Sequence, residues 1–193
     1  MMRVLIAVTG ASGQIYAARI LQILKDLEIQ KDIQTEVVFT DTAKVVWEDE
    51  LGEKVPGGAL DNASYYHPFA SGSNAANMMI IIPATMGTIG RIASGATADL
   101  ITRAADVMLK ERRPLIIVPR ETPLNLIHLE NLTKLTQAGA IIAPASPSFY
   151  THPQNMDELI DTFVRRIINI SGIKVDLPIF KGYSKTFKKS KKG

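Results

Sequence analysis

A chain of 193 residues, 46% of them hydrophobic, is long enough for one domain with a sizeable core. It contains no cysteine, which excludes disulfides, thiolate nucleophiles and cysteine-ligated zinc or iron–sulfur centres. The formal charge of +3 would suit a nucleic-acid binder, but Lys185, Lys188, Lys189, Lys191 and Lys192 crowd the C-terminus, so the body is nearly neutral and residues 176–193 read as a solvated basic tail. No apolar run approaches membrane-spanning length, and the opening Met-Met-Arg-Val-Leu-Ile-Ala-Val runs straight into a strand. The expectation is one cytoplasmic domain over residues 1–175, with neither a membrane nor a nucleic acid as partner.

Arg3–Thr9 is an apolar, β-branched run too short for a helix, and the turn Gly10-Ala11-Ser12-Gly13 leads from it into an amphipathic helix over Gln14–Leu27. Thr35–Thr40 reads as a second strand, with Asp41 or Thr42 capping a helix that reaches Glu50. Residues 51–73, with Pro56, Gly57, Gly58, Pro68 and Gly72, read as irregular. Met78–Pro83 is a buried strand. Helices follow over Met86–Ala93 and Leu100–Glu111, parted by Ser94-Gly95-Ala96-Thr97, and Pro114 stops the second. Leu115–Pro119 is a strand, Asn125–Gln137 a helix closed by Gly139, and Ala140–Ala143 a short strand. A proline-punctuated loop bearing Phe149-Tyr150 precedes the last helix, Met156–Ile170. Strands alternating with helices predict an α/β fold, a parallel sheet with helices on both faces. Ile15, Met78, Ile89 and Ile92 belong either to its core or to subunit contacts.

In open α/β sheets ligands bind outside the C-terminal ends of the strands, and three predicted strands end in polar loops. At Gly10–Gly13, backbone N–H groups and the helix dipole either receive a phosphate or make only a tight turn. The pattern matches neither the Walker loop nor Gly-x-Gly-x-x-Gly. Thr85-Met86-Gly87-Thr88 is hydroxyl-rich, either a helix cap or a second ligand loop, and the two loops together favour a nucleotide-like ligand. After Pro119, Arg120 and Glu121 should aim into the crevice, the arginine forked toward phosphate or carboxylate and the glutamate able to hold it or move a proton. Lys110-Glu111-Arg112-Arg113 complements the end of a helix dipole, with Lys110 the member that either caps or serves the site. On the last helix Arg166 falls at the edge of the stripe Phe163, Val164, Ile167 and Ile168 and is expected to reach a ligand, while Arg165 points toward water. His67, His128 and His152 lack paired spacing, so no metal site is expected.

Taken together, Thr9-Gly-Ala-Ser-Gly13, Pro83-Ala-Thr-Met-Gly-Thr88, Arg103-Ala-Ala-Asp-Val107, Lys110-Glu-Arg-Arg113, Pro119-Arg-Glu-Thr-Pro123 and Pro147-Ser-Phe-Tyr150 resemble the flavin prenyltransferase family, the UbiX-like proteins long described as aromatic acid decarboxylase subunits. The resemblance runs to about Ile173. It implies a Rossmann-like three-layer sandwich of flavoprotein type, with a mostly parallel sheet, assembled as a homododecamer whose sites take residues from neighbouring subunits. The implied reaction joins the dimethylallyl group of dimethylallyl monophosphate to N5 and then C6 of reduced FMN, without a metal, giving the prenylated flavin used by a UbiD-type decarboxylase. Carried over by motif, Gly10, Ala11, Ser12, Thr40, Thr85, Met86, Gly87, Thr88 and Arg120 contact FMN, and Lys110, Arg120, Tyr150 and Arg166 hold the prenyl phosphate. Glu50, Glu121 and Ser12 make the catalytic set, the glutamates by proton transfer and positioning.

Thr40 and Thr85 stand where the family usually has serine, Ala84 where it often has cysteine, and Ala98-Asp99 where it usually has Asn-Leu. The alternatives are an FMN-dependent decarboxylase of a peptidyl or pantothenoyl cysteine, which needs a histidine and usually a cysteine, and a non-catalytic flavin carrier or accessory subunit of an aromatic acid decarboxylase.

Overall fold

The computed structural model describes residues 1–30 and 32–173, in two compact units that divide at Ser146/Pro147. The basic tail at 176–193 lies outside the described residues. In the first unit five strands form one sheet in the order β2-β1-β3-β4-β5: β1 Met2–Val8, β2 Ile33–Phe39, β3 Met78–Ala84, β4 Leu115–Pro119 and β5 Ile141–Ile142. Every neighbouring pair is parallel. Parallel strands need crossover connections, supplied here by α1 (Gln14–Gln30), α3 (Met86–Ser94), α4 (Leu100–Lys110) and α5 (Leu126–Gln137).

Every residue of β3 and β4 is buried, which is why these strands read as continuous apolar runs rather than alternating ones. Leu5, Ala7, Met79, Ile81, Leu115 and Ile117 share one face of the pleat and form a single core cluster with residues of α3, α4 and α5. The alternate residues Val4, Ile6, Ile80 and Ile116 are equally buried on the other face. Met78, Ile89 and Ile92 are core residues, so of the four apolar candidates for subunit contacts only Ile15, 37% exposed, stands at the surface. No helix among the described residues is long and apolar enough to cross a membrane.

The edge strand β2 does not present a bare row of backbone groups. The Glu28 carboxylate accepts from the Thr35 amide at 2.5 Å, and the Leu60 amide donates to the Val37 carbonyl at 2.7 Å. Residues 52–77 are irregular apart from two short 3-10 turns, Pro68–Ala70 and Gly72–Asn74. That segment turns back along the starting edge of the sheet, where Asn77 donates to the Arg3 carbonyl and the Arg3 guanidinium lies 4.4 Å from the centroid of the Phe69 ring.

The helix α2 (Asp41–Leu51) is capped by Thr40, not by Asp41 or Thr42: the Thr40 hydroxyl accepts from the Ala43 amide at 3.1 Å. Threonine and aspartate can both cap, and extended φ/ψ at Thr40 selects it. In the second unit, α6 (Met156–Ile170) is capped by Asn155, and its stripe Ile160, Phe163, Val164, Ile167 and Ile168 is buried.

Candidate functional site

The strand order reverses direction between β1 and β3, and in such sheets the crevice at their C-terminal ends is the ligand site. One hydroxyl locks the two loops there. Thr9, fully buried, donates from Oγ1 to the Pro83 carbonyl at 2.8 Å and accepts from the Thr85 amide at 2.8 Å. The β3–β4 register shifts between Ile81 and Ala84, around a proline that has no N–H for the ladder, and the Pro83 carbonyl turns to β1, also accepting from the Thr9 amide at 3.2 Å.

The helix α2 lies across the Gly10–Gly13 turn. Its first turn meets Gly10, where a Cβ would sit 2.5 Å from Thr42 Cγ2 and 3.3 Å from the Thr42 backbone carbon. Gly10→Ala must therefore push α2 off the turn, and we expect a cost of about 1–3 kcal/mol with a melting temperature several degrees lower, read by thermal unfolding. Its last turn delivers Glu50, whose Oε2 accepts from the amides of Gly13 at 2.9 Å and Gln14 at 2.8 Å. The positive end of the α1 dipole is thus met by a carboxylate of the chain itself, and Glu50 closes the Gly10–Gly13 turn.

From the far side, Arg120 Nε donates to the Ser12 carbonyl at 2.9 Å, tying the end of β4 to the turn after β1. Tyr16 packs beneath Gly13, and burial pushes its phenol above the usual value, so it stays a neutral hydroxyl. Glu121 is exposed and bonds the Thr122 amide at 2.9 Å.

The start of α3 remains for an anion. Thr85 Oγ1 accepts from the Thr88 amide at 3.2 Å, while the amides of Met86 and Gly87 have no acceptor within the helix. Beyond its chain neighbours and the backbone of α3, the nearest atom to the missing Cβ of Gly87 is Arg91 Nη1 at 4.0 Å, and Arg91 Nη2 donates to Thr88 Oγ1 at 3.2 Å. Arg91 folds back along α3 to set a cation over its first turn. The sequence showed it only as a cation late in a short helix; the signal was its i−3 spacing from Thr88, since helical side chains lean toward the N-terminus.

Lys110 is not part of this edge. A helix that leaves the C-terminal end of one parallel strand ends near the N-terminal end of the next, and Lys110 closes α4 there, its ammonium on the Glu111 carboxylate at 2.5 Å over Gly72. That hydrogen bond first, then the charge of Lys110, holds the Glu111 carboxyl below its usual range. Nearby, Arg113 bonds the Ala75 and Ala76 carbonyls that precede β3. The β4 strand between Lys110 and Arg120 spans roughly 15 Å at about 3.3 Å per residue.

Tyr150, half exposed, and Arg166 belong to the second unit. The expected order of the two arginines is reversed: Arg165 is the more buried, drawn onto Asp161 at 3.0 Å across one helical turn, and Arg166 is exposed. Two of the three histidine side chains are spent on local structure. His67 bonds Glu36 at 3.2 Å and accepts from the Phe69 amide, His128 closes the capping box of α5, and His152 adopts positive φ. No group of three or more histidine, aspartate or glutamate side chains among the described residues is arranged to hold a metal.

A parallel sheet of this order, with hydroxyls, open amides and arginines at the switch point, defines a nucleotide-binding α/β protein, and the flavoprotein family model matches residues 1–168. The flavin prenyltransferase UbiX of Methanocaldococcus jannaschii is 40% identical over 186 residues, 93% of this chain and 97% of that protein. The crystal structure of AnUbiX in complex with FMN and dimethylallyl pyrophosphate superposes with a TM-score of 0.85 at 36% identity, covering 90% of this chain and 93% of that one. The dodecameric FMN-dependent UbiX-like decarboxylase of Escherichia coli O157:H7 gives a TM-score of 0.85 at 34% identity, covering 90% and 96%. The chain belongs to the flavin prenyltransferase family of flavoproteins, of the UbiX type.

Proposed function

We propose that this protein transfers the dimethylallyl group of dimethylallyl monophosphate to N5 and C6 of reduced FMN, releasing phosphate, and that a UbiD-type decarboxylase receives the product. The observation that carries the reading is the locked crevice between β1 and β3, because its donors suit a flavin mononucleotide. The amides of Met86 and Gly87, the start of α3 and Arg91 match a phosphate dianion. Thr40 and Thr85 offer hydroxyls, and the Gly10-Ala11-Ser12 turn brings backbone groups to the crevice, with Ser12 exposed at its tip. Reduced FMN supplies the nucleophilic nitrogen and carbon.

The chain supplies charge and proton handling. Loss of the phosphate leaving group needs cations and hydrogen-bond donors where negative charge develops, a role for Arg120, Lys110 and Arg166 as cations and for the Tyr150 hydroxyl as a donor. Glu121 and Glu50 hold or move the proton that leaves the flavin carbon, with Ser12 at the turn between them. Since Lys110 and Arg120 stand at opposite edges of one sheet, the reading requires Lys110 to serve the site of a neighbouring copy, in a homododecamer. Leu126 and Ile127, 69% and 66% exposed at the start of α5, together with Leu124 before it and Leu129 within it, supply apolar surface for that association. The family match spans both compact units, in keeping with one flavin-binding domain over 1–175. The same reading makes this a cytoplasmic protein.

The test is anaerobic incubation with reduced FMN and dimethylallyl monophosphate, in parallel with the diphosphate, followed by mass spectrometry of the flavin. We expect a gain of one five-carbon unit with the wild type and its loss in Glu121→Gln and in Arg166→Ala. Flavin that binds but leaves unaltered with either donor would instead make the protein a flavin carrier.

A further inference from the structure

We infer that Gln14 is the positioning residue of the flavin-contacting turn, a role that rests on the flavin reading above. Gln14 is fully buried at the first position of α1. Its Nε2 donates to two carbonyls of the turn at once, Thr9 at 2.9 Å and Ala11 at 2.7 Å, and its main-chain amide donates to Glu50 Oε2 at 2.8 Å. Thr9 is in turn the residue whose hydroxyl joins β1 to the Pro83–Thr85 segment. The side chain therefore fixes the shape of the turn after β1 and, through Thr9, bears on its link to the loop after β3, while the main-chain amide of the same residue receives the Glu50 carboxylate.

The side chain is held for its donors. Oε1 is buried with no partner among the described residues, an arrangement that disfavours any side chain unless the two N–H bonds justify it. Leucine fills similar space and has no donor. Glutamate keeps the shape, but as a carboxylate it faces two carbonyl oxygens with acceptors only, and as a carboxylic acid it regains one O–H donor.

The test compares FMN binding by wild type, Gln14→Leu and Gln14→Glu across pH, with circular dichroism as the check on folding. In wild type the amide does not titrate. We expect Gln14→Leu to bind FMN about tenfold more weakly at every pH, the effect of losing one net hydrogen bond's worth of preorganisation. For Gln14→Glu we expect weak binding at high pH and recovery as the pH falls and the new carboxyl protonates. Glu50 on the Gln14 amide, Arg120 on the Ser12 carbonyl and the Tyr16 phenol also face this turn, and because all three are present in wild type, its own pH profile removes their contribution.

A folded Gln14→Leu that binds FMN like wild type, or a Gln14→Glu whose profile parallels wild type, would overturn the assignment. If Gln14→Leu fails to fold, the Gln14→Glu profile decides alone. Binding is measured without a prenyl donor, so failure of the prenyl transfer reaction leaves this comparison standing.

Discussion

Co-expressing Lys110→Ala with Arg120→Ala is expected to restore prenyl transfer that neither variant shows alone. Within one chain the two cations lie at opposite ends of β4, with the Lys110 ammonium on Glu111 and the Arg120 guanidinium on the Ser12 carbonyl. If both neutralise the same departing phosphate, they come from different copies across a heterologous contact. A site made from the Arg120 of a Lys110→Ala subunit and the Lys110 of an Arg120→Ala subunit is intact. Random mixing makes such sites about one-quarter of the total. Each single variant should lose on the order of 10²-fold or more in activity, as expected when one preorganised charge aimed at a leaving group is removed. The measurement is the rate of prenylated flavin formation by mixed oligomers purified through two different tags. Mixed oligomers of verified composition that stay inactive would remove Lys110 from the neighbour's site and with it the shared-site architecture.

Much of the fold was open to reading because burial leaves a simple trace. A strand covered on both faces is a continuous apolar run, and Leu115–Pro119, ended by a proline, has the bounds predicted for it. The last helix does too, because its apolar stripe is strong and Asn155 caps it. The crevice was legible in outline, since three strands with polar loops at their C-terminal ends converge once the sheet is parallel. What stayed hidden depends on how elements cross. The Glu50 carboxylate reaches Gly13 only because α2 lies across the turn, and Arg120 meets Ser12 across 108 residues of sequence. The place of Lys110 had a signal that local pattern hid: a crossover helix between parallel strands must end at the edge opposite the one where it began. The two arginines of α6 were misordered because periodicity gives an angle around the helix but not the i,i+4 partner, and Asp161 draws Arg165 inward.

Replacing Glu50 should separate holding the turn from moving the proton. Its carboxylate receives two amides at the positive end of α1, so truncation removes both a cap and a charge that favours the dipole, and Glu50→Ala is expected to lower stability by about 1–2 kcal/mol. Glutamine at the same position retains one carbonyl oxygen that can still accept from Gly13 or Gln14, so Glu50→Gln should keep most of that stability and bind FMN nearly as wild type does. It cannot take up a proton. If Glu50 handles the proton in the reaction, Glu50→Gln loses activity by on the order of 10²–10⁴, the usual worth of a general acid or base, with kcat falling and the FMN dissociation constant little changed. If Glu50 only closes the turn, the Gln variant works almost normally and the Ala variant fails through weakened flavin binding. Single-turnover formation of prenylated flavin, set beside an FMN titration and a thermal melt of each variant, reads the two cases apart. A Gln variant with wild-type turnover would confine Glu50 to the structural role its bonds to Gly13 and Gln14 already define.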